Sequence, residues 1–392
     1  MEPFKNKILL ATATMHGDEL KFINEAFDTN WVTTVGENLN QLEQGIKDFL
    51  GIKGAVATGS GTSAIHLALK LAGVKQGDIV FAQSLTFGAT VNPVMYEKAN
   101  LVFIDSEYET WNMDPKALRK AFDKYPNCKV VIAVNLYGTP AKLDEIKEIC
   151  NEHNAILIED AAESLGATYK GQMAGTFGEY NAISFNGNKI ITTSGGGMLL
   201  TLEEEKARKA RKWATQAKDD APWYEHTEIG YNYRLSNILA GIGRGQLIHL
   251  KEHIKLKKDI YERYKEGLKE LPIKLNPHVD NSEPIYWLSC LIIDKNAMCS
   301  HTRTETEYSY IHEQGKTCPD EIRDILNNHN VETRPIWKPM HLQPIYSKND
   351  YIYVDSDISK DIFDRGICLP SDIKMTIEEQ NKVIEIIKSC FE

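Results

Sequence analysis

The sequence lacks the features that would commit it to a nucleic acid, a membrane or an oxidising compartment. Its 45 lysines and arginines are outnumbered by 55 aspartates and glutamates, the formal net charge is −10, and the basic residues are scattered. An extended nucleic-acid surface needs the opposite, so an anionic small molecule would have to find a local basic pocket. No window approaches the roughly 20 apolar residues of a membrane span. The first twenty residues also lack a basic start followed by a long apolar run. The seven cysteines are odd in number and form no CxxC pair, which indicates neither a disulfide framework nor a zinc site. Reduced thiols in a cytoplasmic protein, and no metal, are the expectation. Internal repeats and low-complexity tracts are missing too. At 392 residues the chain is long enough for one large domain with a smaller companion.

What is present centres on residues 182–200. Ala182 to Phe185 has strand composition, Asn186, Gly187 and Asn188 are turn residues, and three glycines, Gly195 to Gly197, precede a second apolar run. Lys189 therefore sits on a bend between apolar segments. A lysine held against apolar walls is more readily the free amine that condenses with a carbonyl. The glycines would let the backbone approach a bulky group closely.

Upstream, residues 18–50 have helical spacing interrupted at Trp31 to Gly36. From Gly54 a short strand leads through Gly59-Ser-Gly-Thr-Ser-Ala64 into a helix beginning near Thr62, whose free N–H groups suit a phosphate. Apolar runs at Ile79 to Gln83, Leu101 to Ile104, Lys129 to Val134 and Ala155 to Glu159 then alternate with helical stretches. This pattern predicts an α/β fold with a mostly parallel sheet covered on both faces, with ligands beyond the carboxyl ends of the strands. Ser63, Phe87, Asp160 and Lys189 fall there by position. Leu202 to Lys218 reads as a charged helix, and residues 221–237 as an aromatic, aperiodic contact loop. Residues 238–270 read as helix in which Gly241, Gly243 and Gly245 mark either close packing or a break. The remainder reads as a smaller α+β domain with a variable loop at 294–320.

The run Gly59 to Ala64 also fits the dinucleotide pattern GxGxxA. That fingerprint wants an acid at the end of the next strand, where this chain has Gln83 and Ser84, so a nicotinamide site is disfavoured. Pyridoxal 5'-phosphate fits better, because it needs an amine, a carboxylate for its ring nitrogen, a phosphate cup and an aromatic face. Lys189, Asp160, the Thr62/Ser63 helix start with Ser184, and Phe87 supply these in turn.

With those residues in place, the chain resembles the DegT/DnrJ/EryC1/StrS sugar aminotransferases. The carriers are Gly59 to Ala64, Glu159-Asp-Ala-Ala162, Ser184-Phe-Asn-Gly-Asn-Lys189, Gly195 to Gly197 and Gly230-Tyr-Asn-Tyr-Arg-Leu-Ser-Asn237. The resemblance implies the aspartate aminotransferase (type I) fold. Its large, seven-stranded, mostly parallel domain would span 14–250, and a smaller α+β domain would span 251–392 with the arm 1–13. It implies amino transfer from L-glutamate to a nucleotide-linked keto sugar, with pyridoxamine 5'-phosphate carrying the amino group between the two halves. Tyr224-Glu-His226, Glu332 to Lys338, Met340-His341 and Gly366 to Ser371 look most like the bacillosamine branch, whose acceptor is UDP-2-acetamido-2,6-dideoxy-hexos-4-ulose. GDP- and dTDP-linked acceptors are the alternatives within the family. A pyridoxamine-dependent dehydratase would carry His in place of Lys189, and a cofactor-binding regulator would have no need of Lys189, Asp160 and Ser184 together.

By the same resemblance Lys189 and Asp160 are catalytic, and Gly61, Thr62, Ser63, Phe87, Glu163, Ser184 and Asn186 contact the cofactor. Asn237 would reach the cofactor phosphate of a second copy in a homodimer. His226, Tyr231, Arg234, Trp337 and Lys338 are the candidates for the sugar nucleotide. Glu163 stands where many members have Gln or His, and a carboxylate there would repel the cofactor's phenolate unless one of the two is protonated.

Overall fold

The structure is a computed structural model and describes residues 2–392; Met1, the first residue of the arm expected at 1–13, lies outside them. Short apolar runs separated by turn residues become strands β1 (Gly54–Thr58), β2 (Ile79–Gln83), β3 (Asn100–Ile104), β4 (Cys128–Val134), β5 (Ile156–Asp160), β6 (Tyr180–Ser184) and β7 (Gly197–Thr201). They are joined by β8 (Asp350–Ile352), so the sheet has eight strands in the order β1-β7-β6-β5-β4-β2-β3-β8. The expected count of seven is thereby corrected. After Tyr346 the chain runs parallel to β3, pairing Asp350 with Val102, and satisfies the edge that β3 would leave open. β7 runs antiparallel to both of its neighbours, β1 and β6, and the other pairs of this sheet are parallel.

Helices α1 (Asp18–Asp28) and α2 (Glu37–Leu50) flank the interruption at residues 31–36. They are followed by α3 (Gly61–Leu71), α4 (Gly88–Tyr96), α5 (Pro115–Lys124), α6 (Leu143–Glu152), α7 (Glu204–Ala214), α8 (Asn237–Ile248) and α9 (Leu250–Gly267). Ala64, Leu67, Val91, Ala207 and Ala210 from α3, α4 and α7 pack on one sheet face, and Ala117, Leu118, Ile146 and Ile149 from α5 and α6 pack on the other. The charged helix is shorter than its pattern suggests, because Gln216 and Ala217 turn into the left-handed region at φ 60° and 54°.

The glycines of α8 belong to close packing and not to a break. A methyl group at Gly245 would lie 2.6 Å from the backbone nitrogen of Glu19 on α1, and one at Gly243 would lie 2.9 Å from Leu42 on α2. A four-stranded antiparallel sheet (Ile273–Leu275, Cys290–Ile293, Gly366–Cys368, Arg334–Pro335) forms the second layer system. It is backed by Ile260 and Tyr264 of α9 and by Ile322, Leu326, Val383 and Ile387. The stretch 294–320 is more ordered than expected, since His301–Arg303 and Tyr308–Tyr310 pair as a two-stranded ribbon. Among the described residues no helix is long and apolar enough to cross a membrane. All seven cysteines are buried and unbonded, Cys290 and Cys368 approaching with sulfurs 3.5 Å apart.

Candidate active site

A cavity of about 760 Å³ opens at the carboxyl ends of β2, β5 and β6. Lys189 reaches it from the loop between β6 and β7. The loop is shaped by a turn in which Lys189 N donates to Asn186 O (3.0 Å), and it is tethered by Trp287 Nε1 donating to Asn188 O (2.7 Å). Lys189 Nζ donates to Glu163 Oε1 (3.0 Å) and sits 4.0 Å above the centroid of the Trp287 ring. A cation over an indole face, paired with one buried carboxylate, is held far more tightly than a surface lysine. Its walls are thus apolar on one side only.

Asp160 closes β5 and is buried. Its Oδ2 accepts from Thr90 Oγ1 on α4 (2.7 Å) and its Oδ1 from Ala162 N (3.1 Å). Burial pushes its carboxyl up, while Thr90, Ala162 and Lys189 pull it down. Glu163 Oε2 accepts from Tyr137 N (2.8 Å). Burial raises its carboxyl as well, opposed chiefly by the Lys189 charge.

The first turn of α3 forms the opposite wall. Ser60 caps it, its Oγ accepting from Ser63 N (3.1 Å) and bonding Ser63 Oγ (2.9 Å). Gly61 and Thr62 line the cavity, their amides lying in the turn where helical N–H groups have no partner along the helix. Ser184, Asn186, Phe87, Trp337 and Lys338 line it as well, and the Phe87 and Trp337 rings lie 5.4 Å apart. The close approach expected of the glycine run is made largely within the chain. A methyl at Gly197 would sit 2.4 Å from Gly61 N and one at Gly196 would sit 2.2 Å from Thr193 Oγ1, whereas at Gly195 it would meet nothing within 4 Å. Gly197 is what lets the α3 terminus seat against β7.

Four expected contacts lie elsewhere in the chain. Ser63 stands in the same first turn of α3, its hydroxyl bonded to that of Ser60 (2.9 Å), behind Gly61 and Thr62 in the cavity wall. Arg234 is claimed by Glu43 (2.7 Å) and Ala57 O (3.2 Å). Tyr231 stacks on Tyr233 with centroids 4.8 Å apart, beside His66. His226 is exposed and bonded to Gln216 O (2.9 Å). Asn237 is buried, its Nδ2 donating to Trp31 O (2.9 Å) and its Oδ1 accepting from Leu39 N (3.3 Å), so its amide is engaged inside its own chain. Conversely, Thr90, Tyr137 and Trp287 shape the site without having been singled out. For Tyr137 a signal existed: Tyr-Gly-Thr-Pro follows the carboxyl end of the β4 run.

Comparison with known proteins bears on the family and the fold. The model of the DegT/DnrJ/EryC1/StrS aminotransferase family matches residues 13–388. The protein named "Putative pyridoxal phosphate-dependent aminotransferase EpsN" from Bacillus subtilis (strain 168) is 46% identical, over 98% of this chain and 96% of the relative. A GDP-perosamine synthase from Caulobacter vibrioides is 32% identical over 96% of each. Among solved structures, Helicobacter pylori PseC, an aminotransferase involved in the biosynthesis of pseudoaminic acid, superposes with a TM-score of 0.86. It is 20% identical over 98% of this chain and 99% of that one, which speaks to the fold alone.

Proposed function

The chain belongs to the DegT/DnrJ/EryC1/StrS aminotransferase family, and from that premise we propose its acceptor, its donor and the division of labour in its site. It is a pyridoxal phosphate-dependent sugar aminotransferase. The acceptor we propose is UDP-2-acetamido-2,6-dideoxy-hexos-4-ulose, aminated at its C4 keto group, with L-glutamate as donor. The observation that carries the transaminase chemistry is the convergence of Lys189, Asp160 and Glu163 on one cavity whose far wall is a helix N-terminus. The Trp337-Lys338 pair, with Arg334 beside it, supports an aromatic and anionic ligand such as a sugar nucleotide. A GDP-linked acceptor is the main rival, because a relative named for GDP-perosamine is 32% identical.

Bound in this cavity, the cofactor supplies a sink for the negative charge that develops at the donor's α-carbon. The first turn of α3, with Ser184, would hold its phosphate. Asp160, fixed by Thr90 and Ala162, would hold a protonated ring nitrogen, and Phe87 would cover the ring. Lys189 Nζ would anchor the cofactor and then take and return the substrate proton, with Glu163 Oε1 aiming it.

We further propose a homodimer with shared sites. Trp31, Trp223, Tyr224 and Ile229 are 51, 65, 82 and 86% exposed, and large apolar side chains of this kind support a surface that a second copy covers. The cross-dimer phosphate contact expected of Asn237 is carried to Asn232, the exposed amide of the same loop, since Asn237 is engaged with Trp31 and Leu39. The placement we propose is cytoplasmic, where the seven buried, free cysteines would stay reduced.

The test is glutamate-dependent amination across UDP-, GDP- and dTDP-linked 4-keto sugars, read by mass spectrometry of the product. A GDP- or dTDP-linked sugar used about tenfold more efficiently than the UDP-linked one would replace the proposed acceptor.

A further inference from the structure

Residues 335–341, Pro-Ile-Trp-Lys-Pro-Met-His, form a strap whose first four residues line the cavity and which carries Trp337 and Lys338. Its two prolines leave five backbone N–H groups. One, on Ile336, stays with its own sheet and donates to Gly366 O (3.2 Å). Three go to two residues of the large sheet's connections. Trp337 N donates to Tyr137 Oη (3.1 Å), Met340 N donates to Ser84 O (2.8 Å), and His341 N donates to Ser84 Oγ (3.3 Å). The strap is therefore hung from two points and packed between them.

Each point is itself built with unusual care. Tyr137 is fully buried in the left-handed region at φ 53°, ψ 19°. A glycine would occupy that backbone without strain, so what the tyrosine adds lies in its side chain. Its ring stacks on Trp287 (6.4 Å, 20°) and meets Trp337 (5.1 Å), while its N–H holds Glu163. At the other point, His341 Nε2 bonds Asp357 Oδ2 (3.0 Å) and Nδ1 bonds Ser84 Oγ (2.7 Å). The His341 ring lies flat on Tyr351 of β8, 3.7 Å away, so the eighth strand buttresses this anchor.

We propose that Tyr137 and Ser84 are positioning residues which, through this two-point strap, set the place of Trp337 and Lys338 and so the affinity for the sugar-nucleotide acceptor. The inference rests on the reading of Trp337 and Lys338 as acceptor-binding residues. It separates the two halves of the reaction, because the donor's amino acid has no nucleotide for the strap to hold.

The experiment uses Tyr137→Phe, which removes one oxygen and keeps the ring, and Ser84→Ala. UDP is titrated into cofactor-free wild type and variants by calorimetry, and KM for the keto sugar is measured alongside the rate of the glutamate half-reaction. Losing an anchoring hydrogen bond should weaken UDP binding and raise the acceptor KM by up to roughly tenfold. The proportional loss in the glutamate half-reaction should be several-fold smaller. Equal losses in both halves, or UDP affinities within twofold of wild type, overturn the proposal in favour of a merely structural role. Should Ser84→Ala fail to fold, Tyr137→Phe decides alone. A wild type that binds no nucleoside diphosphate and aminates no keto sugar would overturn the reading beneath the inference, and the inference with it.

Discussion

Lys189 owes its position to a carboxylate on one side and an indole face on the other, not to an apolar pocket. Lys189→Ala should give a folded protein that has lost turnover and holds no cofactor covalently. Borohydride treatment and peptide mapping of the wild type should find the cofactor on Lys189, and a label on another lysine would refute the assignment. Asp160→Asn keeps the bonds' shape but not the charge, so cofactor should still bind while turnover falls at least ~100-fold. Near-normal turnover would make Asp160 a strand-end residue only. A second lysine, Lys257 on α9, makes a pH-dependent prediction. It is buried, donates to Trp287 O (2.9 Å) and Ser371 O (2.5 Å), and burial pushes it down to about 7, partly opposed by Asp372. Between that value and the ordinary lysine value the unfolded chain holds a proton that the folded one has released. Stability from this site is therefore lowest below about pH 7 and recovers as pH rises. Relative to Lys257→Met, wild-type unfolding free energy should climb by about 1 kcal/mol per pH unit above neutrality. Urea unfolding at several pH values measures it, and a constant difference between the two proteins would refute it.

At the scale of elements, α8 shows how three glycines can sit inside a helix. They are spaced at i, i+2 and i+4, so they do not share one face; Gly245 meets Glu19 on α1, Gly241 meets both Asn38 on α2 and Phe22 on α1, and Gly243 meets Leu42 on α2 and Thr193. Gly243→Ala would gain helix propensity but place a methyl 2.8 Å from Thr193 Cγ2 and 2.9 Å from Leu42. Both neighbours are buried, so overpacking should win and cost about 1–3 kcal/mol, read from the urea midpoint. A stabilised variant would mean that α8 can withdraw from α2. Helix α3 illustrates the opposite case, since its start is set locally by the Ser60 cap and could be read within a residue or so from the sequence.

For the whole molecule, the exposed Trp31 and the aromatic loop predict that the active species is a dimer by light scattering. If the loop completes a neighbour's site through Asn232, Asn232→Ala and Lys189→Ala damage different parts of one composite site. A mixed dimer of the two variants then has one doubly damaged and one intact site, so refolding two weak proteins together should restore activity. No gain despite verified subunit exchange would mean that a single chain supplies both residues to each site, and an active monomer would end the shared-site reading.

Much of this architecture was legible before any coordinate, because period-two and helical patterns report on hydrogen bonding and burial within a few residues. β2 was read at Ile79 to Gln83, the interruption between α1 and α2 at residues 31–36, Asp160 at a strand end and Lys189 on the bend after the strand that ends near Phe185. What escaped depends on partners distant in sequence. Arg234 looked available until Glu43, 191 residues away, claimed it, and Asn237 until Trp31 and Leu39 did. Tyr137 could not be recognised as a hub, since its bonds run to Glu163 and Trp337, 26 and 200 residues on. The eighth strand has only three residues, too few for a period, and exists because β3 offered it an edge. The local chemistry of each residue is written in the chain; which of several capable partners it meets is chosen by packing, where a buried polar group must be satisfied by whatever the fold brings within 3 Å or so.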